Sequence, residues 1–226
     1  MKQLNWLTIA MLTLCIKSNA QDPASPDTSY ANGYYMARVH FFEKLHPAPK
    51  PIVFLGNSIT EAGAWSEVLP GRNVVNRGIS GDNSYGVLAR LDQVLAAHPS
   101  KIFLLIGIND LKRGTSPVFI AGNYVKIVEK IKKTSPKTKL FLQSVLPVNE
   151  GMLPSIYSKI NNEIVRNLND SLSAIANRYK VPFIDLHEIF EDDNHQLKKE
   201  FSTDGLHLKP DAYILWAEYL TRKKYL

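Results

Sequence analysis

Five short apolar runs alternate with longer stretches of helical periodicity, and this alternation most constrains what the chain can fold into. The runs are rich in Val, Ile, Leu and Phe and lie at residues 52–55, 74–75, 102–106, 140–146 and 183–186. Strands buried on both faces of a parallel sheet have this continuous apolar character, because neither face meets solvent. The runs therefore predict five buried parallel strands.

The stretches between and around the runs are predicted helices. They cover residues 34–45, 83–97, 117–133, 156–179 and 210–224. In the fourth, apolar residues recur at steps of four and three, which is the spacing of one helix face. Alternating strands and helices predict a single α/β domain, a three-layer, doubly wound sheet with right-handed crossovers. In such a sheet ligands bind beyond the carboxyl ends of the strands, so functional residues should directly follow strands.

The first twenty residues have the layout of a secretory signal peptide. Lys2 precedes a mostly apolar stretch at residues 4–16, and Ser-Asn-Ala at 18–20 offers a cleavage site of small residues. The apolar stretch is too short to span a bilayer, which argues against a single membrane anchor. We therefore expect an exported protein, periplasmic or extracellular after cleavage.

A lipoprotein is the other interpretation of this segment, since it contains Cys15, but the preceding Leu14 is large where such sites prefer a small residue. Simple cleavage of a signal peptide at 1–20 removes the only cysteine, so no disulfide is expected. Residues 21–33 begin with a Pro- and Ser-rich stretch and are expected to form a flexible leader. The folded domain is then predicted at 34–226.

The charge pattern and the acidic segments argue against two classes of partner. The formal net charge is +6, but the charges are scattered. The one lysine cluster lies around a predicted helix end, where lysines complement the helix dipole, and consists of Lys132, Lys133, Lys137 and Lys139. No aromatic residues interleave with it, so we expect no nucleic-acid partner. The polar run at 191–195 lacks the spacing of a zinc or EF-hand site, so we expect no metal.

Residues suited to covalent catalysis follow the predicted strands. Ser58 follows the first strand, Gly78 the second and Asn109 the third, while Asp204 and His207 lie shortly before the last helix. A serine hydroxyl is a weak nucleophile at neutral pH and needs a base, which itself needs an orienting partner. Ser58 suits the nucleophile, His207 the base and Asp204 the orienting acid.

Backbone and amide donors that could stabilise an oxyanion lie in the same segments. The N–H groups of Ser58 and Gly78 and the side-chain amide of Asn109 are the candidates. Glycine at position 78 would allow the backbone to approach a ligand closely. Each residue taken singly is a common turn or helix-cap feature, and it is their order along the chain that favours catalysis.

Four short segments resemble, in order, the four sequence blocks of the SGNH/GDSL hydrolases, a family of esterases and acylhydrolases. The segments are GNSIT at 56–60, NRGISGD at 76–82, GIND at 107–110 and DGLHL at 204–208. The resemblance implies that Ser58 is the nucleophile, that Gly78 and Asn109 are oxyanion donors, and that Asp204 and His207 are the acid and base. It also implies a flavodoxin-like sheet of five parallel strands, with no lid domain, no cofactor and no metal.

The first segment departs from the family pattern at two positions. Asn57 stands where the name motif has Asp, and Ile59 where it has Leu. Asn57 can still form local hydrogen bonds, so we expect little loss. The segment is also not the Gly-x-Ser-x-Gly turn of the α/β-hydrolases, because Thr60 replaces the second glycine.

Two further features have more than one interpretation. Asp185 and His187 lie two residues apart, on one face of the last predicted strand, and could present a second Asp/His pair. We interpret them as structural or pocket-rim groups, because the segment with Asp204 and His207 matches better. Trp65 could face either the core or the pocket, and the sequence leaves both open.

These features predict an exported serine esterase that removes small acyl groups, acetyl above all, from carbohydrate. A lysophospholipase or thioesterase of the same fold is the alternative within enzymes, and it would prefer longer acyl chains. A catalytically silent glycan-binding module is the alternative from another class, and it would be expected to carry a damaged triad. The expected partner is a small-molecule or glycan ester, with no stable membrane insertion after cleavage.

Overall fold

The computed structural model describes residues 28–46 and 48–226 and contains a five-stranded, all-parallel sheet. The strands are β1 (Ile52–Gly56), β2 (Val74–Gly78), β3 (Lys101–Leu105), β4 (Lys139–Gln143) and β5 (Phe183–Ile184). Their order across the sheet is β2-β1-β3-β4-β5, which is the flavodoxin-like order. The predicted doubly wound α/β fold is therefore confirmed.

Ten α-helices connect and cover the strands within the described residues. They are α1 (Gly33–Lys44), α2 (Ser58–Glu61), α3 (Trp65–Val68), α4 (Ser84–Ala89), α5 (Leu91–Leu95), α6 (Ile108–Arg113), α7 (Pro117–Thr134), α8 (Asn162–Tyr179), α9 (His187–Phe190) and α10 (Pro210–Arg222). Short 3₁₀ segments lie at Ser155–Tyr157 and Lys199–Phe201. Helices α4, α5 and α8 contact α7 in one layer, and α3 and α9 contact α10 in the other. None of the helices in the described part of the chain is long and apolar enough to cross a membrane.

A row of aromatic rings crosses the sheet. Phe54, Phe103 and Phe141 are register partners on β1, β3 and β4, and their ring centroids lie 5.0 and 4.6 Å apart. This spacing is close to the separation of neighbouring strands, so parallel register alone stacks the rings. Trp65 stacks on Phe54 at 3.8 Å and meets Trp216 edge-on. Trp65 is therefore a core residue, which resolves the question that the sequence leaves open.

Helix α8 begins later than its apolar pattern predicts. Asn161 is its N-cap and accepts a hydrogen bond from the Ile164 N–H at 2.8 Å. Ile156, which the periodicity places on the helix, is instead 63% exposed in a 3₁₀ turn that follows Pro154. The apolar spacing extends back to Ile156, but the helix begins only after the Asn161 cap.

The predicted helix at 83–97 is two helices, α4 and α5, separated at Arg90. Arg90 has φ −98° and ψ 8°, outside the helical region. Its guanidinium turns inward and binds the buried Asp82 carboxylate at 2.9 Å. The break therefore coincides with a buried ion pair, which the periodicity of the segment does not reveal.

The structure describes part of the predicted leader. Tyr30 contacts Tyr35 of α1 with ring centroids 5.0 Å apart, and the Tyr35 hydroxyl donates to the Gly86 carbonyl at 2.8 Å. Residues 28–33 thus lead directly into a helix that packs on the domain. The predicted signal peptide at 1–20 lies outside the described residues.

Candidate active site

Ser58 is the first residue of α2 and directly follows β1 at the carboxyl edge of the sheet. Asn57 caps this short helix, because its side chain accepts a hydrogen bond from the Ile59 N–H at 3.0 Å. The Asn-for-Asp departure from the family pattern therefore keeps the local cap. The same turn leaves the Ser58 N–H in the first helical turn, where backbone N–H groups have no intrahelical partner.

Ser58, His207 and Asp204 form a continuous hydrogen-bonded chain. Ser58 Oγ lies 3.1 Å from His207 Nε2, although the two residues are 149 positions apart. His207 Nδ1 lies 2.6 Å from Asp204 Oδ2. A neutral imidazole with its proton on Nδ1 satisfies both contacts, since Nδ1–H then donates to the carboxylate and Nε2 accepts from the serine hydroxyl. This arrangement can remove the serine proton.

A tight turn holds the carboxylate and the imidazole together. Asp204 Oδ1 accepts hydrogen bonds from the N–H groups of Leu206 at 3.0 Å and His207 at 2.8 Å. Burial by itself would raise the pKa of Asp204, but the hydrogen bonds from His207 and Leu206 outweigh it and lower that pKa. Asp204 therefore remains a carboxylate that can orient the base.

Gly205 allows this turn to pack closely against the loop that follows β4. Its φ is +82°, and a Cβ there would lie 2.6 Å from the Asn149 carbonyl oxygen. The Asn149 N–H donates to the Gly205 carbonyl at 2.8 Å. Glycine is needed here for both its backbone conformation and the close approach.

The structure corrects the predicted role of Gly78. The Gly78 N–H already donates to Asn76 Oδ1 at 2.8 Å. A Cβ on Gly78 would lie 2.2 Å from the Glu61 backbone nitrogen, so this glycine allows α2 to pack closely on the end of β2. Its N–H is thus engaged beneath α2 and is not available to an oxyanion.

Gly81, three residues later, has the properties that the sequence analysis assigned to Gly78. Its φ is +81°, and a Cβ there would meet nothing within 4 Å, so the residue borders open space. Its N–H has no partner among the hydrogen bonds of the described residues. The second glycine of the segment 76–82 could have signalled this, since a positive φ is a reason to require glycine.

Asn109 lies beside the Gly81 turn. It is 9% exposed, and its Nδ2 donates to the Asp82 carbonyl at 2.8 Å, which leaves a second amide hydrogen. Arg113 ties the two segments together, because its guanidinium donates to the Asn109 carbonyl at 3.2 Å and to the Gly81 carbonyl at 3.0 Å. The structure therefore brings together the segments at 76–82 and 107–110, which contain Gly81 and Asn109.

A buried ionic pair supports the ends of β1 and β2, and the sequence analysis missed it. Arg90 Nη2 donates to the carbonyls of Gly56 at 3.1 Å and Arg77 at 2.9 Å, and its Nε donates to Asp82 Oδ2 at 2.9 Å. Burial raises the pKa of Asp82 to about 6, although the charge of Arg90 opposes the shift. This pair holds the strand ends that lead into Ser58 and the Gly81 turn.

A second buried carboxyl lies beside Asn109. Asp110 accepts hydrogen bonds from the Ser84 hydroxyl at 2.5 Å and from the Ser84 N–H at 3.0 Å, and Asn123 donates to the same hydroxyl at 2.8 Å. Burial raises the pKa of Asp110 to about 7, against the effect of the Ser84 hydrogen bonds. The network joins the start of α6 to α4 and α7.

Asp185 and His187, the alternative Asp/His pair at the end of β5, form hydrogen bonds that stabilise the local backbone. His187 Nε2 lies 2.9 Å from the Val145 carbonyl oxygen, and His187 Nδ1 lies 3.3 Å from Glu191. Asp185 accepts from the His187 backbone N–H at 2.9 Å and does not bind its ring. Among the residues that the structure describes, no cluster of His, Cys, Asp and Glu could hold a metal ion.

Several proteins that act on esters are similar to this chain over most of its length. It is 28% identical over 193 residues to an arylesterase from Vibrio mimicus, covering 78% of this chain and 88% of the relative. It is 25% identical over 210 residues to platelet-activating factor acetylhydrolase IB subunit alpha1 of Homo sapiens, covering 87% of each. It is 27% identical over 192 residues to thioesterase 1/protease 1/lysophospholipase L1 of Escherichia coli (strain K12), covering 78% of this chain and 84% of the relative.

A family model agrees with these similarities. The model of the GDSL-like lipase/acylhydrolase family matches residues 54–215. This range includes every residue of the hydrogen-bonded chain from Ser58 to Asp204 and His207. The protein therefore belongs to the GDSL-like lipase/acylhydrolase family and is a carboxylic ester hydrolase.

Proposed function

We propose that the protein is an exported serine esterase that removes small acyl groups, acetyl above all, from carbohydrate. The observation that carries the proposal is the hydrogen-bonded chain from Ser58 Oγ through His207 to Asp204. It contains a nucleophile, a base and an orienting acid at distances that allow proton transfer.

The reaction would proceed through an acyl-enzyme. Ser58 Oγ attacks the ester carbonyl while His207 Nε2 takes its proton, and Asp204 stabilises the resulting imidazolium. His207 then gives the proton to the departing alkoxide, which leaves as the alcohol. A water molecule attacks the acyl-serine with His207 again as base, and release of the carboxylic acid restores the Ser58 hydroxyl.

Three donors are suited to stabilise the oxyanion. They are the N–H of Ser58, the N–H of Gly81 in place of Gly78, and the Nδ2 amide of Asn109. The first belongs to the opening turn of α2, the second borders open space, and the third has one amide hydrogen beyond its bond to Asp82. Removing one such donor typically costs about 2.7–4 kcal/mol of transition-state stabilisation.

A contact made by the helix that carries Asn109 supports a preference for small acyl groups. Lys112 Nζ lies 4.5 Å from the centre of the Tyr157 ring. Lys112 is three residues after Asn109 on α6, so the two side chains lie on the same side of the helix. Burial and the negative charge of Asp204 raise the pKa of Tyr157, so this ring also lies near the triad acid. The pair thus links the helix that carries Asn109 to a ring near Asp204, a position from which it would restrict a long acyl chain.

The relatives support two acyl classes. The name of the human relative includes acetylhydrolase, which favours the acetyl proposal. The name of the Escherichia coli relative includes thioesterase and lysophospholipase, which favours longer chains, and this is the second candidate function. Export is supported by the signal-peptide layout of residues 1–20, and an extracytoplasmic esterase would meet acylated glycans.

Hydrolysis of p-nitrophenyl acetate and p-nitrophenyl octanoate by residues 21–226 tests the proposal. We expect higher kcat/KM on acetate, loss of both activities in Ser58→Ala, and full activity in the control Ser171→Ala on α8. Comparable turnover by Ser58→Ala would refute the nucleophile assignment. Higher kcat/KM on octanoate would establish the second candidate function.

Two further measurements test the class of protein and the substrate. A fluorophosphonate probe should label Ser58, and no adduct on a folded protein would favour the silent glycan-binding module. Acetate release from acetylated xylan and other acetylated glycans should be dependent on Ser58. No release from any glycan, with p-nitrophenyl acetate still hydrolysed, would contradict the carbohydrate part of the proposal.

A further inference from the structure

The carboxylate of Glu61 connects three parts of the molecule. Glu61 is the last residue of α2, three positions after Ser58. Its Oε2 accepts hydrogen bonds from the Ser80 N–H at 2.7 Å and the Ser80 hydroxyl at 2.5 Å. Its Oε1 accepts from the Tyr34 hydroxyl at 2.7 Å and lies 2.9 Å from Arg38 Nε, an ion pair whose N–H is not aligned for a hydrogen bond.

One side of this carboxylate fixes the residue before Gly81. Ser80 is held at both its main-chain nitrogen and its hydroxyl. The orientation of the next peptide, which carries the Gly81 N–H, depends on the backbone angles at Ser80 and Gly81. This peptide lies in a turn outside the helices and strands, closed by the Asp82 N–H, which donates to the Ile79 carbonyl at 3.1 Å. The two hydrogen bonds that Ser80 donates to Glu61 add a side-chain restraint on the orientation of the peptide.

The other side of the carboxylate is held by α1. This helix packs on the domain through Tyr35 and Phe42, which form a buried cluster with Ile79, and the Arg77 guanidinium lies 4.6 Å from the centre of the Phe42 ring. Ile79 immediately precedes Ser80, so α1 packs against the same turn that Glu61 binds. Helix α1 also lies outside residues 54–215, the range that the family model matches.

We propose that Glu61 is a positioning residue that holds the Ser80–Gly81 turn ready for the oxyanion, and that Tyr34 and Arg38 of α1 hold Glu61 in place. The proposal rests on the esterase function proposed above. Helix α1, which lies outside the residues that the family model matches, then contributes to the active site by holding Glu61. Glu61 touches no reacting atom and acts only through Ser80.

A merely structural role predicts a different result. The Arg38 and Glu61 side chains are 28% and 15% exposed, and a partly exposed ion pair contributes little to stability. A structural role alone would change the melting temperature with little effect on kcat. A positioning role lowers kcat with KM nearly unchanged, because the oxyanion exists only in the transition state.

The experiment compares variants of the clamp, defined as Glu61, Ser80, Tyr34 and Arg38, on p-nitrophenyl acetate. Misplacement of a reacting group costs on the order of 10²-fold in rate, so we expect that loss of kcat in Glu61→Ala. We expect a smaller loss, about tenfold, in Ser80→Ala and in Arg38→Met, with recovery in Arg38→Lys, which restores the charge. The controls Glu67→Ala and Arg72→Met, both exposed, should retain full kcat.

The outcomes separate this inference from the proposed function. Full kcat in Glu61→Ala and Arg38→Met, with Ser58→Ala inactive, would overturn the inference and leave the esterase proposal intact. Activity that survives in Ser58→Ala would overturn the esterase proposal first. If Glu61→Ala does not fold, the test uses Ser80→Ala and Arg38→Met, because these variants keep Glu61. Unchanged kcat in both variants would overturn the inference. Equal failure of Arg38→Lys and Arg38→Met would also overturn the role of the Arg38 charge.

Discussion

Arg90 and Asp82 form an ion pair whose side chains are 1% and 0% exposed, directly beneath the segments that carry Ser58 and Gly81. A charge buried to this degree is tolerated only with a partner and hydrogen bonds. Arg90 also donates to the carbonyls of Gly56 and Arg77. One guanidinium therefore binds the last residue of β1, the penultimate residue of β2 and Asp82, which follows β2 by four residues.

Arg90→Met should strongly destabilise the fold. It leaves the Asp82 carboxylate buried without its ion-pair partner, with the Asn83 N–H still donating to it at 2.9 Å, and breaking such a pair typically costs about 3–5 kcal/mol. Urea denaturation at pH 7 measures the change in the free energy of unfolding. Arg166→Met, on the exposed face of α8, is the control. The double variant Arg90→Met/Asp82→Asn should recover part of the loss, and a single-variant loss below about 1 kcal/mol would contradict the assignment.

Asp110 should make stability fall as the pH rises. Burial raises its pKa from 3.8 to about 7 in the folded protein, so the folded state binds this proton more tightly than the unfolded state. Its contribution is fully present below about pH 4 and is lost as the pH rises through about 7. Urea denaturation at several pH values in that window, with Asp110→Asn for comparison, measures the effect.

The Asp110→Asn protein should lack this part of the pH dependence, a difference on the order of 2–4 kcal/mol across the window. The control Asp193→Asn alters an exposed carboxyl and should follow the wild-type curve. Parallel curves for wild type and Asp110→Asn would show that Asp110 titrates in the folded protein as it does in the unfolded chain.

Asn109→Ala should lower kcat on p-nitrophenyl acetate by about 10²–10³-fold, with a small change in KM, because it removes an oxyanion donor. The variant also loses the bond from Nδ2 to the Asp82 carbonyl, so the melting temperature is measured in parallel. Asn167→Ala, an exposed asparagine on α8, is the matched control. A kcat within about threefold of wild type would remove Asn109 from the oxyanion site.

Tyr157→Ala should shift the acyl preference toward longer chains. It removes the ring that contacts Lys112 and lies near Asp204, and each additional CH₂ of the acyl chain buried in the space released is worth about 0.8 kcal/mol. The ratio of kcat/KM for p-nitrophenyl octanoate to that for acetate should rise roughly tenfold or more. Ile156→Ala, at the exposed neighbouring position, should leave the ratio unchanged. An unchanged ratio in Tyr157→Ala would mean that this pair does not limit chain length.

The strands of this fold could be predicted from sequence because they depend on a local property. Each apolar run is buried on both faces, so its composition alone identifies it. The start of α8 at Asn162 and the break at Arg90 were mispredicted for a common reason. In both places a polar side chain set a helix boundary inside a continuous apolar pattern: the Asn161 cap begins α8, and α4 ends at Arg90, whose guanidinium turns inward.

The candidate site was predictable to the extent that its residues follow strands. Ser58 and Asn109 follow β1 and β3 and lie at the carboxyl edge as topology requires, whereas Asp204 and His207 precede α10 and were identified from the segment at 204–208. Gly78 was predicted as the donor because it follows the second apolar run and matches the second family segment, whereas the availability of an N–H depends on its hydrogen-bond partners. Asn76 engages the first glycine, while the Glu61 contacts that hold the turn before Gly81 come from 19 positions away, beyond any local pattern.

The turn that contains Asp204, Gly205 and His207 determines which of the three side chains, Ser58, His207 and Asp204, can become misplaced relative to the others. Base and acid belong to four consecutive residues closed by their own hydrogen bonds, so they move as a single body. Of the three side chains, only the serine must be brought into alignment from a distant part of the chain. A change in the surrounding loops would therefore alter the distance between His207 and Ser58, which connects this turn to the end of β1. The distance between the imidazole and its carboxylate would stay the same.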